Sequence, residues 1–124
     1  MKKSLITLLL AAATNLPAFA WPDKPITLVV PFPPGGSTDL IARTISAKLG
    51  EKLGGATVVV ENKAGATGTI GATHVARSAP DGHTLFVSSL GPFVIAPHLI
   101  KTSYDALKDL DPITVVVQAP NVLV

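Results

Sequence analysis

The 124 residues include no cysteine. That absence excludes a disulfide framework, a thiolate nucleophile, a cysteine-bound metal and lipid attachment through an N-terminal cysteine. Aromatic residues are only 5% of the chain, and no Lys/Arg stripe is interleaved with them, which removes the usual footprint of a nucleic-acid surface. Net charge is equally scarce. The whole formal +2 comes from Lys2 and Lys3, because the remaining Lys and Arg balance the 8 Asp and Glu. A basic sequence pI therefore gives no support for an anionic partner of the chain beyond its leader. His74, His83 and His98 lack the i, i+4 spacing of a helical zinc pair, and no metal site is expected.

What is present begins with export. Met1-Lys2-Lys3 is a short basic start, Leu5 to Ala13 is apolar, and Pro17-Ala18-Phe19-Ala20 ends in a small-x-small pattern. The apolar run is about half of the roughly 20 residues that span a bilayer. It reads as a secretory signal peptide, residues 1–20, cleaved after Ala20 to release a soluble periplasmic protein starting at Trp21.

Ile26-Thr27-Leu28-Val29-Val30 reads as a strand running into the loop Pro31-Phe32-Pro33-Pro34-Gly35-Gly36. Beyond it, Ile41, Ile45, Leu49 and Leu53 recur every four residues, predicting an amphipathic helix over 38–53 capped by Ser37. Gly50 costs that helix about 1 kcal/mol relative to alanine, and Gly54-Gly55 stops it. Thr57-Val58-Val59-Val60-Glu61 is uniformly apolar at its centre, which predicts a strand covered on both faces. A second Gly-rich loop, Asn62 to Gly71, precedes a weaker helix through Ala72, Val75 and Ala76, and Thr84 to Ser88 is a third strand. Strands alternating with helices over short connections predict a doubly wound, mostly parallel α/β sheet. The α/β unit spans residues 21–112. From Ile113 to Val124 the chain is again strand-like, which predicts a crossover strand towards a further lobe and a truncated chain.

On such a sheet ligands sit at the carboxyl ends of the strands. Three ends are visible: the Gly35 loop, the Gly65 loop, and Ser88-Ser89. Glycine admits a ligand to the backbone, and free amides at a helix start carry partial positive charge, so the first loop suits a carboxylate or phosphate. Gly36 is followed by Ser37 and not by Gly-Lys-Ser/Thr, which argues against a nucleoside triphosphate. The alternative is a dinucleotide-binding enzyme domain, but Gly65, Gly68 and Gly71 are three apart and do not form Gly-x-Gly-x-x-Gly. A serine hydrolase would need a Gly-x-Ser-x-Gly elbow that Ser37 lacks. No enzyme activity and no cofactor are expected.

Taken in order, Trp21-Pro22-Asp23-Lys24-Pro25-Ile26, Pro31 to Asp39, Val60-Glu61-Asn62, Gly65-Ala66-Thr67-Gly68-Thr69-Ile70-Gly71 and Ala79-Pro80-Asp81-Gly82 resemble the receptors of tripartite tricarboxylate transporters, also called Bug receptors. Ala96-Pro97-His98-Leu99 is similar to a family Asn-Pro-His-Leu motif apart from its first residue. The resemblance implies an extracytoplasmic solute-binding protein with two α/β lobes of the type II periplasmic kind. This chain would be its incomplete first lobe, not competent alone, and the complete protein a monomer. It implies a small organic carboxylate as ligand and a membrane permease as partner. Carried onto this sequence, the ligand residues are Gly35, Gly36, Ser37, Thr38 and Asp39 in the first loop, Gly65, Ala66 and Gly68 in the second, and Ser88 and Ser89 after the third strand. Asp39 stands out, because a carboxylate beside an anionic ligand is repulsive; its expected roles are a favourable charge in the first helical turn or the ordering of a bridging water. His98 is expected to hydrogen-bond within its loop, and His74 and His83 carry no expected role.

Overall fold

A computed structural model describes residues 21–118. The expected signal peptide and cleavage site, residues 1–20, and residues 119–124 lie outside the described residues. Three strands form one parallel sheet: β1 (Ile26–Val30), β2 (Val58–Asn62) and β3 (Thr84–Phe86), in the order β2-β1-β3. Between β1 and β2 runs α1 (Ser37–Lys52), and between β2 and β3 runs α2 (Thr69–Ala76), preceded by a 3-10 turn at Ala66–Gly68. A π turn, Gly91–Ile95, and a short α3 (Ala96–Leu99) follow.

The winding reverses at β1. The first crossover leaves towards β2 on one side and the second returns past β1 to β3 on the other, so right-handed connections place α1 and α2 on opposite faces. Ile26, Leu28, Val29 and Val30 are consequently buried, and β1 is the core. Ala42 of α1 and Ala72 of α2 are fully buried, their small side chains letting each helix approach the sheet closely. Ile41, Ile45, Leu49 and Leu53 form the half-buried stripe that their spacing predicts. Gly50 earns its place in that helix through space: a Cβ there would lie 2.7 Å from the Ala56 carbonyl oxygen, where the chain folds back into β2.

Two expectations change. β2 is an edge strand with Val59 47% exposed, because its apolar run is covered by α1 on one face only among the described residues. Ser37 does not cap α1. It sits inside the first turn, Gly36 is the N-cap in extended conformation, and no side chain caps that end. Of the run expected to be a crossover strand, Ile113 to Gln118 is exposed and outside the sheet, and the remainder lies outside the described residues.

Candidate functional site

All three strands are parallel, so the loops leaving β1, β2 and β3 share one end of the sheet. Backbone bonds hold them in line: Lys63 N–H donates to Val30 O at 2.8 Å and Val87 N–H to Val29 O at 3.0 Å. The sheet thus brings the three expected loops together.

The first loop owes its shape to Asp39, which is 3% exposed. Its Oδ2 accepts from the Gly35 amide at 2.9 Å and from Arg43 Nε at 2.9 Å, while Oδ1 accepts from Asn62 Nδ2 at 2.9 Å. Asn62 Nδ2 also donates to the Phe32 carbonyl at 3.1 Å, and Arg43 Nη2 donates to Asn62 Oδ1 at 3.3 Å. Arg43 first, then the Gly35 and Asn62 amides, hold the Asp39 carboxyl well below the usual carboxylate range. A buried carboxylate is tolerable only when it is bonded in this way. Asp39 therefore acts on the loop and on the end of β2, and its charge is matched by Arg43. Arg43 and Asn62 are the residues that sequence reasoning missed. The i, i+4 spacing of Asp39 and Arg43 was a legible signal; the arrival of Asn62 from another strand was not.

With Gly35 N–H taken, the amides left at the helix start are those of Gly36, Ser37, Thr38 and the buried Asp39. They precede the first intrahelical bond, Leu40 N–H to Gly36 O at 3.0 Å, and so have no acceptor in the helix. Gly36 and Ser37 are exposed and Thr38 is half-buried. This is an open helix N-terminus with two hydroxyls beside it.

The second loop has positive φ at four consecutive residues, Gly65 to Gly68. Gly65 has φ +135°, and Ala66 and Thr67, at φ +44° and +57°, hold a conformation that side chains disfavour. Such strain concentrates at ligand sites. Gly68 is buried, and a Cβ there would meet Pro92 Cγ at 2.6 Å and Pro31 Cβ at 3.3 Å; Gly71 would meet Pro31 Cβ at 2.9 Å. Of the expected ligand residues in this loop, Gly68 packs against neighbouring loops, while Gly65 and Ala66 are exposed. After β3, Ser89 is exposed, whereas Ser88 Oγ is buried without a hydrogen-bond partner among the described residues.

The histidines lie elsewhere. His83 is buried at the opposite end of the sheet, its Nε2 3.1 Å from Asp23 Oδ1 and its Nδ1 3.3 Å from Asp81 Oδ1, and its ring 5.6 Å from that of Trp21. Trp21 Nε1 donates to the Asp81 carbonyl at 3.1 Å and Lys24 Nζ bonds Asp81 Oδ2 at 2.7 Å, so this cluster pins the segment preceding β1. His98 is exposed on α3, and its side chain makes no hydrogen bond among the described residues; the loop role expected of it is not met, because helical backbone satisfies that turn. Among the described residues no group of His, Asp and Glu could hold a metal ion.

A sequence profile of the tripartite tricarboxylate transporter family receptor matches residues 41–124. The protein BugT of Bordetella pertussis is 45% identical over 114 residues, covering 90% of this chain and 35% of the relative. Among solved structures, MatC from Rhodopseudomonas palustris with bound malate is 47% identical with a TM-score of 0.67, covering 72% of this chain and 30% of that one. The periplasmic binding protein BugD is 52% identical with a TM-score of 0.51, over 53% of this chain and 22% of that one. The chain spans about a third of the length of the curated relatives it matches.

Proposed function

The chain belongs to the tripartite tricarboxylate transporter receptor family, and on that footing we propose that its described part is one wall of a periplasmic receptor for a small organic carboxylate. The observation that carries the reading is the open N-terminus of α1. Amides of Gly36, Ser37 and Thr38 point from a helix start, and the Ser37 and Thr38 hydroxyls stand beside them. A carboxylate there accepts charge-assisted bonds from neutral donors and meets the positive end of the helix dipole. Asp39 does not oppose it, since its charge is matched by Arg43.

The Gly65–Ala66 backbone and Ser89 are exposed at the same end of the sheet and would contact the rest of the ligand, whereas the buried Ser88 hydroxyl would not. Malate bound to MatC supports a hydroxylated or plain dicarboxylate as the ligand class. A second lobe would close over it, and a membrane permease would receive it. A receptor gains affinity by burying most of its ligand, so this wall alone should hold a carboxylate poorly against water.

Calorimetry with malate, adipate and acetate tests the reading, on the chain alone and on a chimera completed by the C-terminal two thirds of BugT. Binding of a dicarboxylate by the chimera, lost on Gly36→Val and retained on His74→Ala, is expected. Equal effects of the two substitutions would mean that the site lies elsewhere. Saturable binding of NAD in place of acids would favour a dinucleotide-binding domain.

A further inference from the structure

Pro31, Gly68 and Pro92 belong to three different loops, those leaving β1, β2 and β3, and they meet in one stack. Both prolines are fully buried, and the Gly68 Cα lies between them so tightly that a single added carbon would be 2.6 Å from Pro92 Cγ and 3.3 Å from Pro31 Cβ. The stack has one polar fastening. Tyr104, only 6% exposed, donates its hydroxyl to the Pro92 carbonyl. The segment bearing Tyr104 is itself tied down: Thr102 Oγ1 donates to the Tyr104 carbonyl at 2.9 Å, and Ser103 Oγ and Thr73 Oγ1 of α2 are 3.0 Å apart.

We propose that Tyr104 is a positioning residue that latches Pro92 onto Gly68 and, through Gly68, onto Pro31, so that the three strand-end loops hold one fixed spacing. In the i to i+5 pattern of this π turn the donor for the Pro92 carbonyl would come from position 97, which is a proline without an N–H, and the tyrosine hydroxyl supplies a partner from a segment that meets α2. Burial raises the Tyr104 hydroxyl above its usual range and keeps it a donor throughout neutral pH. Rigid prolines transmit that seat to both neighbours because neither ring can yield by rotation. The consequence for ligand capture rests on the carboxylate reading above: the amides of Gly36–Thr38 would stay aligned with the Gly65 loop and Ser89 before any ligand arrives.

Amide hydrogen exchange on the ligand-free 124-residue chain tests the latch separately from that reading. Tyr104→Phe keeps the ring and removes the hydroxyl. Exchange at Gly68, Val94 and Gly35 should rise about fivefold, as expected for loss of one net hydrogen bond, while Thr27, bonded to His83 O at the far end of the sheet, stays unchanged. Pro92→Ala removes the ring and leaves the carbonyl, and should loosen Gly68 and Gly35 likewise. A rise at Thr27 equal to that at the loops would show a merely global loss of stability and overturn the proposal. So would a rise confined to Val94. If Tyr104→Phe does not fold, Pro92→Ala decides; failure of both to fold would also overturn it, because a local latch does not hold the fold.

Discussion

Replacing Gly68 by alanine perturbs two things whose sizes can be worked separately. Its φ of +88° puts an L side chain in the left-handed region, which costs about 1–2 kcal/mol. The new Cβ would also lie 2.6 Å from Pro92 Cγ, a buried ring that cannot rotate away, and overpacking of this kind costs about 1–3 kcal/mol more. Gly35 supplies the control. Its φ is +86°, nearly the same, yet an added Cβ there meets nothing within 4 Å. Gly35→Ala should therefore lose only the backbone cost, about 1–2 kcal/mol, and keep its amide bonded to Asp39. At the low end of urea m-values for a small domain, about 1 kcal/mol/M, the two midpoints should differ by about 1–3 M. Urea titrations followed by circular dichroism measure both. Equal midpoints, or a larger loss for Gly35→Ala, would show that the Pro31–Gly68–Pro92 stack does not exist as described.

Further outcomes can be checked on the same chain. Asp39 is held below the ordinary carboxylate range, so its stabilisation is complete above that range and drains as pH falls towards the lower folded value; Asp39→Asn should lower the urea midpoint at pH 7 and flatten its decline between pH 5 and 2. Asp81, held at about 2 chiefly by Lys24, should keep part of that acid dependence in the variant. Gly82→Val forces a branched side chain into φ +80° against the Trp21 ring, 3.4 Å from its Cζ2; a loss of about 1–2 kcal/mol and a red shift of the emission from the one tryptophan are expected. Gly36→Val, in contrast, sits at φ −75° with only the Pro33 carbonyl 3.6 Å away, so its stability should fall only by the cost of a poor N-cap, about 1 kcal/mol, while the chimera loses its ligand.

The sequence by itself determined the alternation of elements. Ile26 to Val30, the four-residue spacing from Ile41 to Leu53 and the Gly-rich loops carry their periods and turn chemistry locally, so their order and the parallel sheet were legible. The family was legible too, because its motifs are contiguous runs. Local reading also set an Asp beside the loop and an Arg one turn on. Tertiary structure decided what those residues do. Asp39 is a brace because Asn62, from the next strand, completes its bonds; Ser37 is not a cap because Gly36 takes that place while the Asp39 carboxylate bonds the preceding amide. Gly68 is a packing residue because two prolines, one 37 residues before it and one 24 after, close on it. His83 is buried because the segment from Trp21 folds over a turn some sixty residues away. These are contacts between distant parts of the chain, and no spacing along it encodes which partners will meet.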